Sequence, residues 1–311
     1  TALGTRALYN NTTGNRNTAI GRYALYKNTT SWDNVAIGNE ALYNYEGSEG
    51  TLIAIGSQAG YNTNEHLMAI GYQALYNNTS GSQNMAFGWK SLYNNTTGSG
   101  NLGIGDDTLY SNTTGDYNVG IGWRALQDNT TGTRNVALGV QALWENTTGS
   151  YNTGIGLMAL NDNTTGSYNT AVGLEALINN TTGNNNVGVG NYALYNTTTG
   201  SNNTAIGLQA GNNTQGSNNV FIGYQAGWNE TGSNKLYISN AAANDLIIGD
   251  FSTGDLSLGY QNSGTVSILN ALSVAGNLSL GGGALTNDNG TLTWNGSAVG
   301  GGYEDALYNV G

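Results

Sequence analysis

The sequence predicts an all-β chain: a parallel β-solenoid (a β-roll of 17-residue coils) followed by a β-stranded trimeric stem. Three observations predict it. Fourteen glycines recur from Gly4 to Gly223 almost every 17 residues, with intervals of 18, 15 and 16 the only exceptions. A fixed short period marks stacked structural units rather than a globular core. The unit between them, N-T-A-I-G-x-x-A-L-Y-N-N-T-T-G-x-x, is too short for a helical repeat, which needs roughly 33 to 47 residues. Small and aliphatic residues alternate before each glycine, as in Ala19-Ile20, Ala36-Ile37, Ala137-Leu138 and Ala171-Val172. That alternation is the strand period.

The first segment of each coil is therefore read as a short strand ending at the glycine. A second apolar pair follows three residues later, as in Ala74-Leu75 and Ala193-Leu194, and is read as a second strand. Gly and Asn bound both segments and supply the positive-φ corners. Each strand pairs with its equivalent in the next coil at about 4.8 Å, so fourteen coils rise roughly 65 Å.

The aliphatic residue before the glycine (Ile20, Ile37, Ile70, Phe87, Ile104 and onward to Ile222) is expected to face inward with the Leu of the second segment. Its small neighbour then points the other way. Smallness there implies a close backbone, and a second copy of the chain is the simplest source. The predicted trimer contacts are Ala19, Ala36, Ala69, Ala86, Gly103, Gly120, Ala137, Gly154, Ala171, Gly188 and Ala205. Phe221 breaks the small-residue rule, as expected if the stack is plugged there. Asn17, Asn34, Asn84, Asn101, Asn118 and their successors to Asn219 precede the first strand. Amides stacked in register predict a hydrogen-bonded ladder. Leu52 and Leu67 interrupt it, within a local defect over residues 39–70 that also holds the lone histidine, His66.

The repeat domain spans 1–235. Over 236–311 the period ends and two-residue alternation takes over, at Leu256/Leu258, Val266/Ile268, Leu278/Leu280 and Leu292/Trp294. One chain of such strands leaves edges open, and three wound together would close them. That stretch is expected to be a β-prism or β-helix stem, leading to a missing downstream part. Thr1 opens the chain without a leader-like segment, which fits a processed product or a fragment.

Composition narrows the function. Cysteine and proline are absent, charged residues make up 9%, and the net charge is −11 with eight Lys plus Arg. Phosphate-backbone binding needs clustered basic residues, so nucleic acid is not an expected partner. No apolar run is long enough for a membrane-spanning helix, and no membrane insertion is expected. One histidine and no cysteine leave out most nucleophile–base sets and a cysteine or multi-histidine zinc site. No enzyme activity, cofactor or metal is expected. Asn-x-Thr triplets, at Asn95 and Asn129 for example, have the form of glycosylation acceptors, but repeated turn chemistry accounts for them.

Aromatic residues are the functional lead. The position after the glycine varies freely and holds Tyr72, Trp89, Trp123 and Tyr224. The position after Ala-Leu is mostly Tyr (Tyr9, Tyr26, Tyr43, Tyr76, Tyr93, Tyr110), with Trp144 and Trp228 as variants. Stacked rings in the latter row stabilise a solenoid. Flat exposed rings are also platforms for sugars. The candidate receptor-binding residues are Tyr72, Trp89, Trp123, Trp144, Tyr224 and Trp228.

The segments "NTAIGRYALYKNTTS" and "GSNKLYISNAAANDLIIGDFSTGDLSLG" resemble tail-fibre-domain proteins of bacteria and their phages. The A-I-G-x-x-A core is similar to the β-roll heads of trimeric autotransporter (YadA-like) adhesins. The resemblance implies a homotrimer, extracellular on a virion tail or bacterial surface, that binds a cell-surface glycan or protein beside other particle proteins. Two further readings stand next to it: a purely structural spacer fibre, and an ice-binding solenoid suggested by Thr-Thr pairs such as 96-97 and 113-114. Adjacent threonines do not share one flat face, which counts against the latter.

Overall fold

In the computed structural model the described residues are 1–47, 51–63, 66–241, 245–258, 285–288 and 291–294. They form two compact units, Thr1–Gly264 and Thr265–Gly311. The first is a parallel β-solenoid of about fourteen turns. Its strands run from β1 (Ala2–Leu3) and β2 (Thr18–Ile20) to β14 (Val220–Ile222). Equivalent residues pair coil to coil, as in Gly103↔Gly120 and Ile104↔Ile121. The register survives the irregular coils, where Val35 pairs with Ile53 and Ile53 with Met68.

Each coil carries one strand, not two. The Ala-Leu pair sits in a turn, with Leu25, Leu75, Leu126 and Leu143 at φ values of 50, 51, 54 and 53°. Non-glycine residues rarely adopt such angles. Here the turn still bonds from coil to coil: Leu126 N–H donates to the Ala142 carbonyl at 3.0 Å and Leu143 N–H to Ala159 at 3.0 Å. These bonds and the burial of these four leucines offset the backbone strain.

The inward face is the reverse of the one expected. Ala19, Ala36, Ala69, Ala86, Ala137, Ala171 and Ala205 are fully buried inside a single chain, packed with Leu25, Leu75, Leu92 and Leu143 in one core. Gly103, Gly120, Gly154 and Gly188 are buried with them. A Cβ on Gly188 would lie 3.4 Å from Leu177 Cδ1, and one on Gly154 3.4 Å from Leu143 Cγ. The wall that demands smallness is thus the chain's own leucine turn. All eleven predicted trimer contacts are enclosed by the coil and present no surface to another copy. The aliphatic residues on either side of each alanine point outward: Val136 and Leu138 are 37% and 44% exposed.

The predicted asparagine ladder is present. Asn118 accepts from the backbone N–H of Asn135 at 3.0 Å and donates to the Gly132 carbonyl at 2.9 Å. A second, buried ladder runs through the Asn-Thr-Thr turns, Asn112 donating to Asn95 and Asn129 to Asn112 at 2.7 Å each. Asn95 and Asn129 are fully buried and bonded, so as folded neither amide is open to a sugar-transferring enzyme. Phe221 is fully buried. It fills space left where the core leucine is replaced by Gly211 and Gly227, whose Cβ positions would strike its ring.

Beyond the coils, β15 (Lys235–Ser239) adds in parallel to β14, and β16 (Asp245–Asp250) and β17 (Asp255–Leu258) continue antiparallel. Lys235 Nζ pairs with Asp250 at 2.5 Å, and Tyr237 donates to Glu230 at 2.7 Å. The second unit contains a hairpin of β18 (Leu285–Asp288) and β19 (Thr291–Trp294). The strands expected at Val266/Ile268 and Leu278/Leu280 lie outside the described residues.

Candidate functional site

Stacking equivalent coils turns each sequence position into a row of side chains. The row after the invariant glycine contains Tyr72, Trp89, Trp123 and Tyr224, each about equally exposed at 43–44%. Trp144 and Trp228 belong to the row after Ala-Leu and are half-buried. The six predicted residues therefore lie on two rows and do not form one patch.

Over the first seven coils the Ala-Leu row is a continuous tyrosine column. Tyr9, Tyr26, Tyr43, Tyr61, Tyr76, Tyr93 and Tyr110 stack at 4.9–5.6 Å with interplanar angles of 5–13°. Tyr61 bridges the irregular coil, and the sequence reading missed it because Ala59-Gly60-Tyr61 replaces Ala-Leu-Tyr. Rings stacked along the solenoid axis show edges and hydroxyls to solvent, while their faces cover one another. That geometry serves stability more than sugar stacking.

The row after the glycine differs. Tyr72 and Trp89 stack at 6.2 Å and 17°. The next coil places Asp106 in the row, and the one after it Trp123. Backbone bonds hold the three in register: Asp107 N–H donates to the Trp89 carbonyl at 2.9 Å and Arg124 N–H to Asp106 at 3.0 Å. Asp106 Oδ1 accepts from the Trp89 N–H at 2.9 Å. Each tryptophan carries a cation from the following residue, Lys90 Nζ at 4.3 Å from the Trp89 ring centre and Arg124 Cζ at 4.3 Å from that of Trp123. Arg124 also reaches Trp144, at 5.9 Å, so it links Trp123 to the neighbouring row. Burial raises the Asp107 carboxyl above its usual range, while Arg124 and Lys90 oppose the shift. Lys90 and Arg124 were not singled out in the sequence, although G-W-K and G-W-R two periods apart carry the signal.

Two further features went unread. Tyr117, Arg134, Tyr151 and Tyr168 form a third row at left-handed turn positions, with φ of 57, 56, 60 and 62°. Arg134 lies 5.7 Å from the Tyr117 ring centre and 5.3 Å from that of Tyr151, which stacks on Tyr168 at 4.9 Å. On the Asn-Asn-Thr-Thr side, Asp128, Glu145 and Asp162 occupy one row on successive coils. Burial raises all three carboxyls, and for Glu145 the neighbouring Asp162 and Asp128 add to it.

Among the described residues no three His, Cys, Asp or Glu side chains are grouped to hold a metal ion, and no helix is long and apolar enough to cross a membrane. In comparisons with known proteins, no family model, no curated protein and no solved structure matches the chain.

Proposed function

We propose that the chain is a non-enzymatic attachment fibre that assembles as a homotrimer and binds a cell-surface glycan or protein, on a virion tail or a bacterial surface. One observation carries this reading: an outward aliphatic strip that runs the length of the solenoid. Its two rows flank the buried alanines. One holds Val35, Ile53, Met85, Val119 and Val136, with threonine at 18, 153, 170 and 204; the other holds Ile37, Ile104, Leu138 and Ile206. At about 65 Å by about 10 Å the strip projects roughly 650 Å², at the upper limit of what soluble monomers leave uncovered. Three copies packed strip to strip about one axis would cover it. They would leave the three aromatic rows free, and three equal faces raise avidity for a repetitive surface.

Native mass tests the assembly. A mass of three chains supports the reading, and a stable single chain refutes it. Val136→Asp with Leu138→Asp should reduce the mass to one chain while the solenoid stays folded, because both side chains already face solvent in the single chain. Binding of the wild-type protein to intact cells tests attachment, and absence of binding to every surface offered would leave a spacer.

A further inference from the structure

One outward row does not vary. Other solvent-facing rows change freely, and Tyr117, Arg134, Tyr151, Tyr168 and Asn185 succeed one another in one of them. Beside it, an exposed row reads Ser80, then Thr97 and a threonine every 17 residues to Thr199. Duplication of the coil does not explain that constancy, because both rows lie in the same coils. Bonding within the chain does not explain it either. The threonine just before each exposed one is tied by its hydroxyl: Thr113 Oγ1 donates to the Thr130 carbonyl at 3.0 Å and Thr130 Oγ1 to that of Thr147 at 2.9 Å. No such bond ties the exposed row among the described residues. A row free to vary that stays constant is matched to something outside the chain, and that partner must repeat at the coil step.

Each exposed threonine has a companion two places on. Thr131-Gly132-Thr133 and Thr148-Gly149-Ser150 are exposed, buried and half-exposed in that order, so the outer two side chains share a face. The objection to adjacent threonines does not reach this pair. The companion row is pinned in register: Thr133 N–H donates to Ser150 Oγ and Ser150 N–H to Ser167 Oγ, both at 3.0 Å. The geometry repeats from coil to coil, with Ser99, Ser150 and Ser167 each holding Oγ 3.4 Å from the carbonyl of Thr97, Thr148 or Thr165. Twist is small beside these rows, since Tyr151 and Tyr168 stack at 4.9 Å and 7°. Two parallel rows result, stepped at ~4.8 Å, at most about 7 Å apart and roughly 34 Å long.

The geometry points to ice as the partner: the paired hydroxyl rows form an ice-binding face. This activity is independent of the attachment reading above. Oxygen rows on the prism faces of ice have a closely similar spacing. Hydroxyls at fixed steps hold water at lattice positions, and threonine methyls order the water between them. Composition disfavours other lattices. Asp116 is the one charged residue in the two rows, whereas a mineral surface calls for many carboxylates. Neither row contains an aromatic ring, the group that covers sugar faces in a polysaccharide crystal. A second solenoid also repeats at ~4.8 Å, but the aliphatic strip is the surface that gains by burial against another chain.

The test is growth of ice in solutions of the full chain, read by osmometry and by recrystallisation. A gap between melting and freezing points that widens with protein concentration is expected, together with arrested recrystallisation at micromolar protein. Thr148→Tyr with Thr165→Tyr places two rings on the face and should reduce both effects tenfold or more. The melting temperature of the protein should not change, because both positions are exposed. Thr148→Ala with Thr165→Ala removes the same groups without adding bulk and should act in the same direction. Val140→Tyr, in the row of Trp123, is the control and should leave ice unaffected relative to wild type. Absence of any effect of the wild type on ice, equal activity in both double variants, or an equal loss in Val140→Tyr would each overturn the proposal. Co-sedimentation with crystalline chitin in place of ice, or a lower native mass in the alanine double variant, would assign the face to a polysaccharide or to a second copy and overturn it as well. Cell attachment that persists in the double variants while the ice effects are lost separates this face from the attachment function.

Discussion

Asn118→Ala removes one rung of the buried amide ladder, and its cost follows from the bonds that rung makes. The Asn118 side chain donates to Asn101 Oδ1 at 3.2 Å and to the Gly132 carbonyl at 2.9 Å. It accepts from Asn135 twice, from the backbone N–H at 3.0 Å and from Nδ2 at 3.2 Å. After truncation Gly132 O still accepts from Asn129 at 3.1 Å, and Asn135 Nδ2 still donates to Gly149 at 2.8 Å. The Asn135 backbone N–H has no such replacement. One orphaned buried donor costs about 1–3 kcal/mol, and each lost bond a further ~0.5–1.5 kcal/mol. A total of about 3–5 kcal/mol is expected. Asn94→Ala is the control, because Asn94 sits in a half-exposed amide row and accepts from Asn77 at 3.2 Å; water replaces that bond, and the loss should stay under about 1 kcal/mol. Solenoids are coupled mainly to nearest neighbours and need not unfold in one step. Native-state hydrogen exchange, which reads each coil separately, is therefore the assay. Protection should fall most at Asn135 and its adjoining coils. A penalty for Asn118→Ala no larger than that for Asn94→Ala would refute the claim that the buried ladder governs stability.

The glycine row gives a second expectation. A Cβ at Gly122 would sit 2.6 Å from the Gly139 carbonyl carbon at a φ of +131°, so Gly122→Ala should cost about 3 kcal/mol or more from strain and coil separation. Gly254→Ala, at a φ of +80° with nothing near its Cβ, should cost only about 1 kcal/mol of backbone strain; paired denaturation curves compare them. The carboxyl row gives a third. Asp128 and Asp162 hold their protons more tightly folded than unfolded, because burial raises both. Their ionisation opposes the fold, so stability should rise as pH falls from neutral toward the ordinary carboxylate range near 4. Asp250 acts in the opposite direction. The hydrogen bond from Lys235 holds it well below its usual range, and its contribution is lost only at still lower pH. Asp128→Asn with Asp162→Asn should flatten the melting-temperature profile between pH 7 and 4 and raise stability at pH 7 by about 1 kcal/mol, since asparagine extends the half-exposed amide row seen at Asn179 and Asn196.

The repeat period made the solenoid legible, because one residue type at one spacing needs no tertiary information. The asparagine ladder was legible for the same reason. Facing was not. Alternation says that Ala19 and Ile20 point to opposite sides, but it does not say which side is inside. The larger residue was taken as the core residue, and that rule fails where the coil is only one leucine deep. Alanine at the wall and leucine in the turn fill such a cross-section, so isoleucine is displaced to the surface. The second strand failed for a different reason: a left-handed leucine has no signature in composition, and Ala-Leu reads as apolar in any conformation. Of the candidate site, the tryptophans were visible as exceptions to the repeat. Their charged companions were not, since Lys90, Asp106 and Arg124 become neighbours only when coils separated by 17 residues are stacked.

The exceptions inside the core show why functional variation must lie outside it. Where the core leucine is missing at Gly60, Leu42 and Leu67 close in, the latter standing in the asparagine row. Where Ser91 and Thr108 replace the alanine of the turn, the facing residues are Gly103 and Gly120, and a Cβ on Gly120 would lie 2.6 Å from Thr108 Cγ2. Gly211 and Gly227 are matched by Phe221. Each enlargement is met by a reduction nearby, so the cross-section stays constant while the residues change. A packed interior tolerates only such volume-conserving exchanges. The outward rows face no such limit, since a side chain there touches mainly its equivalents above and below. Lys27, Asp128 and Glu145 replace Asn in one of these rows, and Trp89, Asp106, Trp123, Val140 and Leu157 succeed one another in another. The backbone register is undisturbed in both. The fold thus acts as a ruled support on which side chains are placed at ~4.8 Å steps, and chemistry specific to this chain is written in the order of residues along an outward row.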